Sequence, residues 1–229
     1  MELANVPNIA RGSASRELLR SERAARHPGT RLDVAHLVRA RGILLKDEAG
    51  SAIEGLTLYV DAMTPNARRV RFFLSERGVE VTLKILDTGG GEHKTAPYLA
   101  KNAFAQIPTL EDASGWTLSE SMAICRYLDE CGPADGDRLF GDDTKERAEI
   151  HMWAQRSEIG LCSAAVEYGH HKHPHFAQSI EQVPRIVEIE GERIQSTYQR
   201  LDDQLANSAF IAGASFSAAE IARYLPPDE

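Results

Sequence analysis

Residues 55–86 read GLTLYVDAMTPNARRVRFFLSERGVEVTLKIL, and this stretch decides the fold prediction. Apolar and polar side chains alternate across 56–60 and again across 79–85, as they do in half-buried strands. Between these runs, Thr64 followed by a proline is typical of a helix start with a capping hydroxyl, and Gly78 is typical of a helix end. The stretch therefore predicts a strand, a helix and a second strand.

Residues 89–130 add a second set of elements after a loop of three glycines. The predicted elements are a short helix near 97–101, strands at 108–111 and 116–118, and a helix from Ser119 or Glu120 through Asp129. The order β-α-β and then β-β-α is that of the thioredoxin-like α/β fold, a mixed sheet flanked by helices. A cis peptide is expected before Pro108, which precedes the third strand.

Two dipeptides in this half indicate a ligand site. In Ile107-Pro108 a proline follows a strand-prone residue, and an exposed backbone edge beside it can pair with the amide groups of an extended ligand. Glu120 and Ser121 stand at a helix N-terminus, where the carboxylate can face a cationic amine and the hydroxyl an anionic carboxylate. The pattern predicts a site for a small charged peptide.

Composition excludes several classes of protein. The chain has 229 residues, of which 42% are hydrophobic, and one or two soluble domains are expected. It has no apolar run near the roughly twenty residues that a membrane span requires, and its net charge of -8 argues against nucleic acid as a partner. The cysteines Cys125, Cys131 and Cys162 are an odd set without a Cys-x-x-Cys spacing, and no signal-peptide core is present. These features predict a cytoplasmic protein.

The first residues differ in charge from the rest of the chain. Residues 1–46 contain eight Arg and one Lys against four acidic residues, a net charge of +5, so the remainder carries -13. Few large apolar residues are available there for a core, and Pro28-Gly29 interrupts the helix-compatible stretches. We interpret residues 1–54 as a basic, loosely ordered extension or the product of an early start site. The alternative is a basic arm that binds a partner.

An all-helical second domain is predicted at 142–229, joined by a linker at 133–141 to the α/β domain at 55–132. Asp143 and Glu146 have the spacing of a capping box at the start of its first helix. The predicted buried positions are Ala148, Met152, Gln155, Ile159, Cys162 and Val166 in that helix, and Val187, Gly191, Ile194, Tyr198, Leu201 and Leu205 in a later one.

The C-terminus begins a further helix. Ser217 and Glu220 form a capping box, and Phe216 and Ile221 are placed as a hydrophobic staple. The chain ends eight residues after Ile221, so we expect a short helix that leaves apolar surface on its neighbours exposed. The helical domain is therefore predicted to be truncated.

Several short motifs, in this order and at this spacing, resemble one family. They are Met63-Thr64-Pro65-Asn66 with Arg69-Val70, Gly91-Glu92-His93-Lys94, Asn102 followed by Gln106-Ile107-Pro108, and Glu120-Ser121 with Ala123-Ile124 and Arg126-Tyr127-Leu128. The stretch 56–130 resembles the N-terminal domain of cytosolic glutathione S-transferases, closest to the bacterial theta-like and plant phi-like branches. The helical half resembles their C-terminal domain at Trp153, Arg156, Glu158 and the stretch 170–174.

The resemblance implies a glutathione site with a defined polarity. The residues implied are His93, Lys94, Gln106, Ile107, Glu120 and Ser121. The isoleucine would bond the cysteinyl part through its main chain, the Glu-Ser pair with the glutamine would hold the γ-glutamyl group, and the His-Lys pair would meet the glycine carboxylate. Charges of opposite sign suit the two ends of this tripeptide, because charge-assisted hydrogen bonds are the stronger kind. Each residue alone also has a structural use as a cap, a turn or a solvated charge.

Thr64 is the candidate for chemistry. In the phi-like and theta-like branches a serine at the matching position donates a hydrogen bond to the glutathione sulfur, so threonine is a departure here. Lowering a thiol pKa from about 8.5 by about two units requires roughly 2.7 kcal/mol. A charge-assisted hydrogen bond supplies about 1.5–3 kcal/mol and a helix N-terminus about 0.3–1 kcal/mol, which suffices. The alternative is that the hydroxyl only caps its helix.

A histidine-rich segment raises the question of a metal. His170, His171, His173 and His175 match no recognised zinc spacing and are accompanied by no cluster of Cys or carboxylates, so we predict a loop and no metal. The resemblance implies that this region borders the electrophile pocket. His171 is therefore a candidate for contacting the second substrate.

The function that these residues and the resemblance predict is that of a glutathione S-transferase acting in detoxification. Glutathione is the co-substrate, and its thiolate would attack a small hydrophobic electrophile or reduce a peroxide. The family implies a homodimer, and neither nucleic acid nor a membrane is expected as a partner. The alternative is a transferase-like interaction module without turnover. The expected truncation favours it, as does the replacement by Ala103 and Ala105 of the proline and glycine usual in the family.

Overall fold

The computed structural model describes residues 53, 55–62, 64–132 and 138–223. The predicted extension apart from Ile53, Met63, most of the predicted linker and the last residues of the chain lie outside these ranges. The described residues divide into two compact units: the first ends at Glu120 but also contains Cys131 and Gly132, and the second contains Ser121–Glu130 and the residues from 138 onward. The first unit contains a β-sheet, and the second is built from helices.

A strand, a helix and a second strand open the first unit, as predicted. β1 covers Thr57–Val60, α1 covers Pro65–Arg77 and β2 covers Thr82–Ile85. Proline occupies the first turn of α1, and Gly78 follows its last turn in a left-handed conformation with φ 62°. Proline suits the first turn because the N–H that it lacks would have no partner there. Glycine suits the end of the helix because it has no Cβ atom and adopts a positive φ without steric cost.

The rest of the first unit completes a four-stranded sheet. A 3₁₀ turn at Glu92–Lys94 and the short helix α2, Ala96–Leu99, lead to β3, Thr109–Glu111, and β4, Thr117–Ser119. The strand order is β2-β1-β3-β4, with β1 parallel to β2 and antiparallel to β3, and β3 antiparallel to β4. The predicted cis peptide precedes β3. The thioredoxin-like prediction is confirmed.

The core of this unit is formed by the inward-facing apolar side chains of the central strands and by those of α1. Leu58 and Leu110 are partners across β1 and β3, and both are completely buried. Val70 and Phe73 of α1 are also completely buried. β2 departs from the predicted alternation, since Ile85, expected on the buried face, is 40% exposed. β2 is an outermost strand of the sheet, so it has a neighbouring strand on one side only.

A charged cluster surrounds Tyr59 on the sheet. The Tyr59 hydroxyl donates to Glu111 Oε2 at 2.5 Å, and Lys101 Nζ donates to the other oxygen of that carboxylate. The Nζ atoms of Lys84 and Lys101 each lie 5.3 Å from the centre of the Tyr59 ring. Hydrogen bonds from Lys101 and then Tyr59 hold the pKa of Glu111 below its ordinary value. The folded protein therefore favours the ionised carboxylate.

The Tyr59 cluster predicts a pH-dependent contribution to stability. A carboxylate whose pKa is lowered on folding stabilises the protein above its unfolded pKa, and this contribution is lost as the pH falls through the folded pKa. We expect Glu111→Gln to lower the melting temperature at pH 7 by about 2–4 °C, the shift that a loss of about 1 kcal/mol causes. At pH values below the folded pKa the two proteins should differ little. Thermal unfolding at a series of pH values from about 2 to about 7, on both sides of the ordinary carboxyl pKa, measures the difference.

The control for this prediction is Glu188→Gln, which removes an exposed surface pair with Arg185 and should change the melting temperature very little. A difference between wild type and Glu111→Gln that is the same at every pH would contradict the role given to the ionised carboxylate.

Helices build the second unit, as predicted for this half. The elements are α3, Ser121–Cys131; α4, Thr144–Ser157; a π-helical turn, Glu158–Cys162; α5, Ser163–Lys172; a 3₁₀ turn, Pro174–Gln178; α6, Pro184–Leu205; and α7, Ala218–Ala222. No helix within the described ranges combines the length and the apolar character that crossing a membrane requires.

The last turn of α3 is bonded to the segment that follows it. Asp129 is 1% exposed and accepts from the backbone N–H groups of Leu139 and Phe140, each at 3.1 Å. These bonds explain why most of α3 belongs to the second unit, although the predicted first domain extends to residue 132. The boundary between the predicted domains stays a prediction.

The N-terminus of α4 has half of the predicted capping box. Asp143 Oδ1 accepts from the N–H groups of Lys145 at 2.7 Å and Glu146 at 2.9 Å. The bonds from Glu146 and then Lys145 hold the pKa of Asp143 below its usual value. Glu146 Oε2, however, accepts from the N–H of Asp142 at 2.8 Å. The second half of the prediction is wrong, because this side chain reaches one residue further back.

The buried face of α4 and α5 lies opposite to the predicted one. Of the predicted set only Cys162 is buried, and Met152, Ile159 and Val166 are 39%, 53% and 48% exposed. The residues buried instead are Ile150, Ala154, Ser157, Leu161 and Ala164. Both rows recur at steps of three and four, so helical periodicity did not distinguish them. The π-helical turn also interrupts the single helix on which the prediction depended.

The core of the second unit confirms the C-terminal part of the apolar row predicted for α6, in which Leu201 is buried, whereas Val187 and Gly191 are only half-buried. The buried residues Leu161, Leu201 and Ile211 cluster together, with Trp153, Ile194, Tyr198 and Leu205 packed against them. At Gly160 a Cβ would lie 2.6 Å from Thr197 Oγ1, so glycine permits the close approach of the π-helical turn to α6. The predicted capping box of α7, Ser217 with Glu220, is also confirmed.

Candidate functional site

Four segments of the first unit leave the sheet at the same edge. Parallel pairing places the carboxyl ends of β1 and β2 together, with Val60 opposite Ile85. Antiparallel pairing brings the start of β3 to the end of β1 and the end of β4 to the start of β3, since Thr109 pairs with both Tyr59 and Ser119. The segments that carry the predicted residues after β1, after β2, before β3 and after β4 therefore emerge at one edge.

Thr64 is the N-cap residue that directly precedes α1 at this edge. Its backbone has the extended conformation of an N-cap residue, with φ −66° and ψ 137°, but its side chain makes no cap bond. Its Oγ1 is buried and has no hydrogen-bond partner among the described residues. The predicted capping role of the hydroxyl is therefore wrong. A buried donor without a partner carries a desolvation penalty unless a ligand accepts from it.

The segment before β3 is held from two sides. Tyr98 Oη donates to the carbonyl oxygen of Gln106 at 2.6 Å, and Asn102 Nδ2 donates to the same oxygen at 2.8 Å. Ile107 is half-buried and packs against the cluster of Tyr59, Leu86 and Tyr98. Its own peptide lies outside the ladder, because β3 begins only at Thr109. The main chain at Ile107 is thus fixed in place next to the sheet.

Glu120 has a left-handed backbone conformation with φ 71°, which is uncommon for a residue with a Cβ atom. The side chain is exposed and directly precedes α3, whose first residue, Ser121, is 6% exposed. Such a conformation costs on the order of 1–3 kcal/mol and is found most often at ligand sites and active sites. The observation supports a functional role for Glu120 beyond helix capping.

A closed loop presents His93 and Lys94. Asp87 O accepts from Glu92 N at 2.9 Å, while Glu92 Oε2 accepts from Asp87 N at 2.9 Å. The 3₁₀ turn that follows contains His93, half-buried, and Lys94, exposed. His93 Nδ1 is buried without a partner among the described residues. The exposed Lys94 side chain is therefore accessible to an anionic group, and one ring nitrogen of His93 is uncommitted among the described residues.

His171 is held within the second unit. Its Nδ1 accepts from the N–H of Val183 at 3.1 Å, and its Nε2 lies 3.7 Å from Glu167 Oε2. His170 and His171 belong to α5, so the predicted loop is wrong for these two residues. Among the described residues, no group of three or more His, Cys, Asp or Glu side chains is placed to hold a metal ion.

Sequence reasoning missed Tyr98 and Asp61, two polar residues that organise this edge, and it gave Asn102 no role although the residue belongs to a quoted motif. Tyr98 and Asn102 fix the Gln106 carbonyl, and Asp61 accepts from the N–H of Thr64 at 2.7 Å. Asp61 directly follows β1, which is a signal for a turn that the sequence does carry. Tyr98 had no comparable local signal, and the motif that contains Asn102 did not show which atom its side chain would bond.

The chain is similar in sequence to known proteins. A family model described as "Glutathione S-transferase, N-terminal domain" matches residues 64–131. The protein "Glutathione S-transferase 2" of Saccharomyces cerevisiae is 28% identical over 189 residues, which make up 80% of this chain and 80% of the relative. The match thus extends beyond the first unit.

Solved structures share the fold. A glutathione S-transferase domain-containing protein from Marinobacter aquaeolei is 36% identical, and the alignment covers 73% of this chain and 82% of that chain with a TM-score of 0.67. The glutathione transferase URE2P6 from Phanerochaete chrysosporium, solved in complex with oxidized glutathione, is 27% identical over 76% of this chain and 77% of that chain, with a TM-score of 0.63. This chain belongs to the glutathione S-transferase family.

Proposed function

We propose that the chain is an active glutathione transferase in which Thr64 stabilises the glutathione thiolate. The observation that carries the proposal is the buried, uncommitted Oγ1 of Thr64 at the start of α1. The family supports glutathione as the co-substrate, and a relative of the same fold was solved with oxidized glutathione. The chemistry requires a donor directed at sulfur, and this hydroxyl has no competing acceptor among the described residues.

Glutathione would lie along the sheet edge with one polarity. We propose that Glu120 faces the amine of the γ-glutamyl group and that Ser121, at the N-terminus of α3, faces its carboxylate. Gln106 would assist there, and the main chain of Ile107 would bond the cysteinyl part. His93 and Lys94 would bind the glycine carboxylate at the opposite end. Two features support this arrangement: the left-handed backbone at Glu120 and the unpartnered Nδ1 of His93.

The reaction begins with loss of the thiol proton to water. The Thr64 hydroxyl then donates to the sulfur anion, which attacks the electrophilic carbon of the second substrate; a carbon–sulfur bond forms and the leaving group departs with its electron pair. Lowering the thiol pKa by about two units requires roughly 2.7 kcal/mol. A hydrogen bond to a charged group contributes about 1.5–3 kcal/mol and the N-terminus of α1 about 0.3–1 kcal/mol.

The second substrate is proposed to be a small hydrophobic electrophile or a peroxide. His171 stays a predicted contact of this substrate; its Nδ1 is bonded to Val183, so the contact would use Nε2, which lies 3.7 Å from Glu167 Oε2. We also propose a cytoplasmic location and a part in detoxification. The three cysteines Cys125, Cys131 and Cys162 are free, which suits a reducing compartment.

Two measurements test the proposed function. The full chain should be retained on immobilised glutathione and eluted by free glutathione, and it should conjugate glutathione to a generic aryl halide. Retention without turnover would support the alternative, a transferase-like interaction module, and would contradict the catalytic part of the proposal. Neither retention nor turnover would contradict both parts.

A homodimer is also proposed, and Phe104 supports it. This side chain is 83% exposed in the first unit, in the loop between α2 and β3. We expect Phe104→Ser to weaken self-association at least about tenfold, because burying a Phe side chain contributes about 1.5–3 kcal/mol. Sedimentation over a range of concentrations measures the effect. Ile85→Ser, at a residue that is 40% exposed on the edge strand, is the control; equal effects of the two changes would contradict a specific contact of Phe104.

A further inference from the structure

Asp61 links two parts of the proposed site through one carboxylate. The residue directly follows β1 and is 8% exposed. Its Oδ1 accepts from the N–H of Thr64 at 2.7 Å, and its Oδ2 accepts from the hydroxyl of Thr88. Thr64 carries the proposed chemistry, whereas Thr88 begins the loop that leads to His93 and Lys94. A single side chain thus contacts both segments.

The bond to Thr64 determines what the Thr64 hydroxyl can do. A threonine in the extended N-cap conformation can turn its oxygen towards the free N–H groups of the first helical turn. Here the side chain makes no such bond, and Oγ1 is buried without a partner among the described residues. The side chain of threonine is stiff at χ1, so the position of its backbone largely sets the position of its hydroxyl. Asp61 holds that backbone.

The bond to Thr88 anchors the loop after β2. Thr88 O accepts from Gly91 N at 3.2 Å, and Asp87 Oδ1 accepts from Gly90 N at 2.8 Å. The loop is therefore closed on itself, and the Thr88 hydroxyl connects it to the end of β1. A displacement of Thr88 would move the whole loop, including the 3₁₀ turn with His93 and Lys94.

We propose that Asp61 is a positioning residue whose two oxygens serve separate functions: Oδ1 orients Thr64 for thiolate formation, and Oδ2 holds the loop that binds the glycine end of glutathione. The inference rests on the proposed function. Asp61 touches neither reacting atom in this scheme and acts by geometry. Its negative charge near the sulfur would by itself oppose the thiolate.

The test separates geometry from charge. Asp61→Ala removes both acceptors and should lower kcat/KM for glutathione about 10- to 100-fold and raise the pKa of bound glutathione by about one unit. Asp61→Asn keeps an oxygen for the Thr64 N–H, and its amide can donate to Thr88 Oγ1. This variant should retain kcat within about threefold and leave the thiol pKa unchanged or lower. Absorbance of bound thiolate as a function of pH gives the pKa directly.

The second arm separates the two oxygens. Thr88→Val removes only the loop bond and should raise KM for glutathione about fivefold while kcat changes less than about twofold. Thr88→Ser keeps the hydroxyl and should restore KM. Melting temperatures of all variants are measured alongside, since a purely structural role would lower stability without moving the thiol pKa.

The outcomes are distinguishable from failure of the proposed function. A wild-type chain that neither binds nor conjugates glutathione would contradict the proposed function itself. An active wild type with an unchanged thiol pKa in Asp61→Ala would overturn the role of Oδ1, and an unchanged KM in Thr88→Val would overturn that of Oδ2. If Asp61→Asn loses as much kcat/KM as Asp61→Ala and raises the thiol pKa equally, an oxygen in the right place is not enough and the positioning role is wrong.

Discussion

Replacing Thr64 by valine is expected to lower kcat/KM for conjugation about 100-fold near neutral pH. Valine has almost the same shape but no hydroxyl, so it removes the donor to sulfur and leaves the packing intact. The pKa of bound glutathione should rise by about two units, which corresponds to roughly 2.7 kcal/mol of lost preference for the anion. Conjugation of an aryl halide as a function of pH measures both quantities.

The matched control for Thr64 is Thr64→Ser, which keeps the hydroxyl and loses only a methyl group. We expect it to retain most of the wild-type rate. Stability gives a second discriminating readout. Loss of an N-cap bond lowers the free energy of unfolding by about 1 kcal/mol. Because the Thr64 hydroxyl makes no cap bond, Thr64→Val should not show this loss. Unchanged conjugation kinetics in Thr64→Val would remove Thr64 from the mechanism.

Replacing Glu120 by glycine is expected to stabilise the protein and at the same time weaken glutathione binding. The backbone of Glu120 has φ 71°, which glycine adopts freely, so the free energy of unfolding should rise by about 0.5–1 kcal/mol after the greater entropy of the unfolded glycine chain is subtracted. Loss of the carboxylate should raise KM for glutathione about 10- to 100-fold, as expected for a charge-assisted hydrogen bond of about 1.5–3 kcal/mol. Thermal unfolding and steady-state kinetics report the two effects.

Two controls assign these opposite effects to their causes. Ala105 has a left-handed backbone with φ 54°, so Ala105→Gly should raise stability by a similar amount without changing the affinity for glutathione. Glu120→Gln keeps the backbone strain and removes the charge, so it should weaken binding without the gain in stability. If Glu120→Gly gains stability and binds glutathione as well as wild type, Glu120 has no part in the site.

The elements of the first unit were largely predictable from the sequence because their signals are local. A proline opens α1 and Gly78 closes it, and the alternation around Leu58 identifies a central strand. The cis peptide before Pro108 was expected from the place of this proline before the third strand, once the order of the elements had indicated the fold. The signals for α1 and for the central strand depend only on the residue and its near neighbours in the chain. The exposed face of β2 at Ile85 was not predictable, because its place at the sheet edge depends on strand order.

The second unit shows where such reasoning fails. Ile150 and Ala154 lie on the buried row of α4, whereas Met152 lies on an equally regular row that is exposed. The sequence contains both periodicities, and only the contacts of the helix with its neighbours select one of them. The π-helical turn at Glu158–Cys162 was equally hidden, since no residue type specifies it.

The sequence by itself determined the family, the order of the elements and the chemical identity of the candidate site, because motifs such as Gln106-Ile107-Pro108 and Glu120-Ser121 are local. Only the tertiary structure decided that the hydroxyl of Thr64 is uncommitted and that the backbone of Glu120 is left-handed. The reason is physical: which donor meets which acceptor depends on residues distant in sequence, and Asp61 with Thr88, 27 residues apart, is the example that this chain provides.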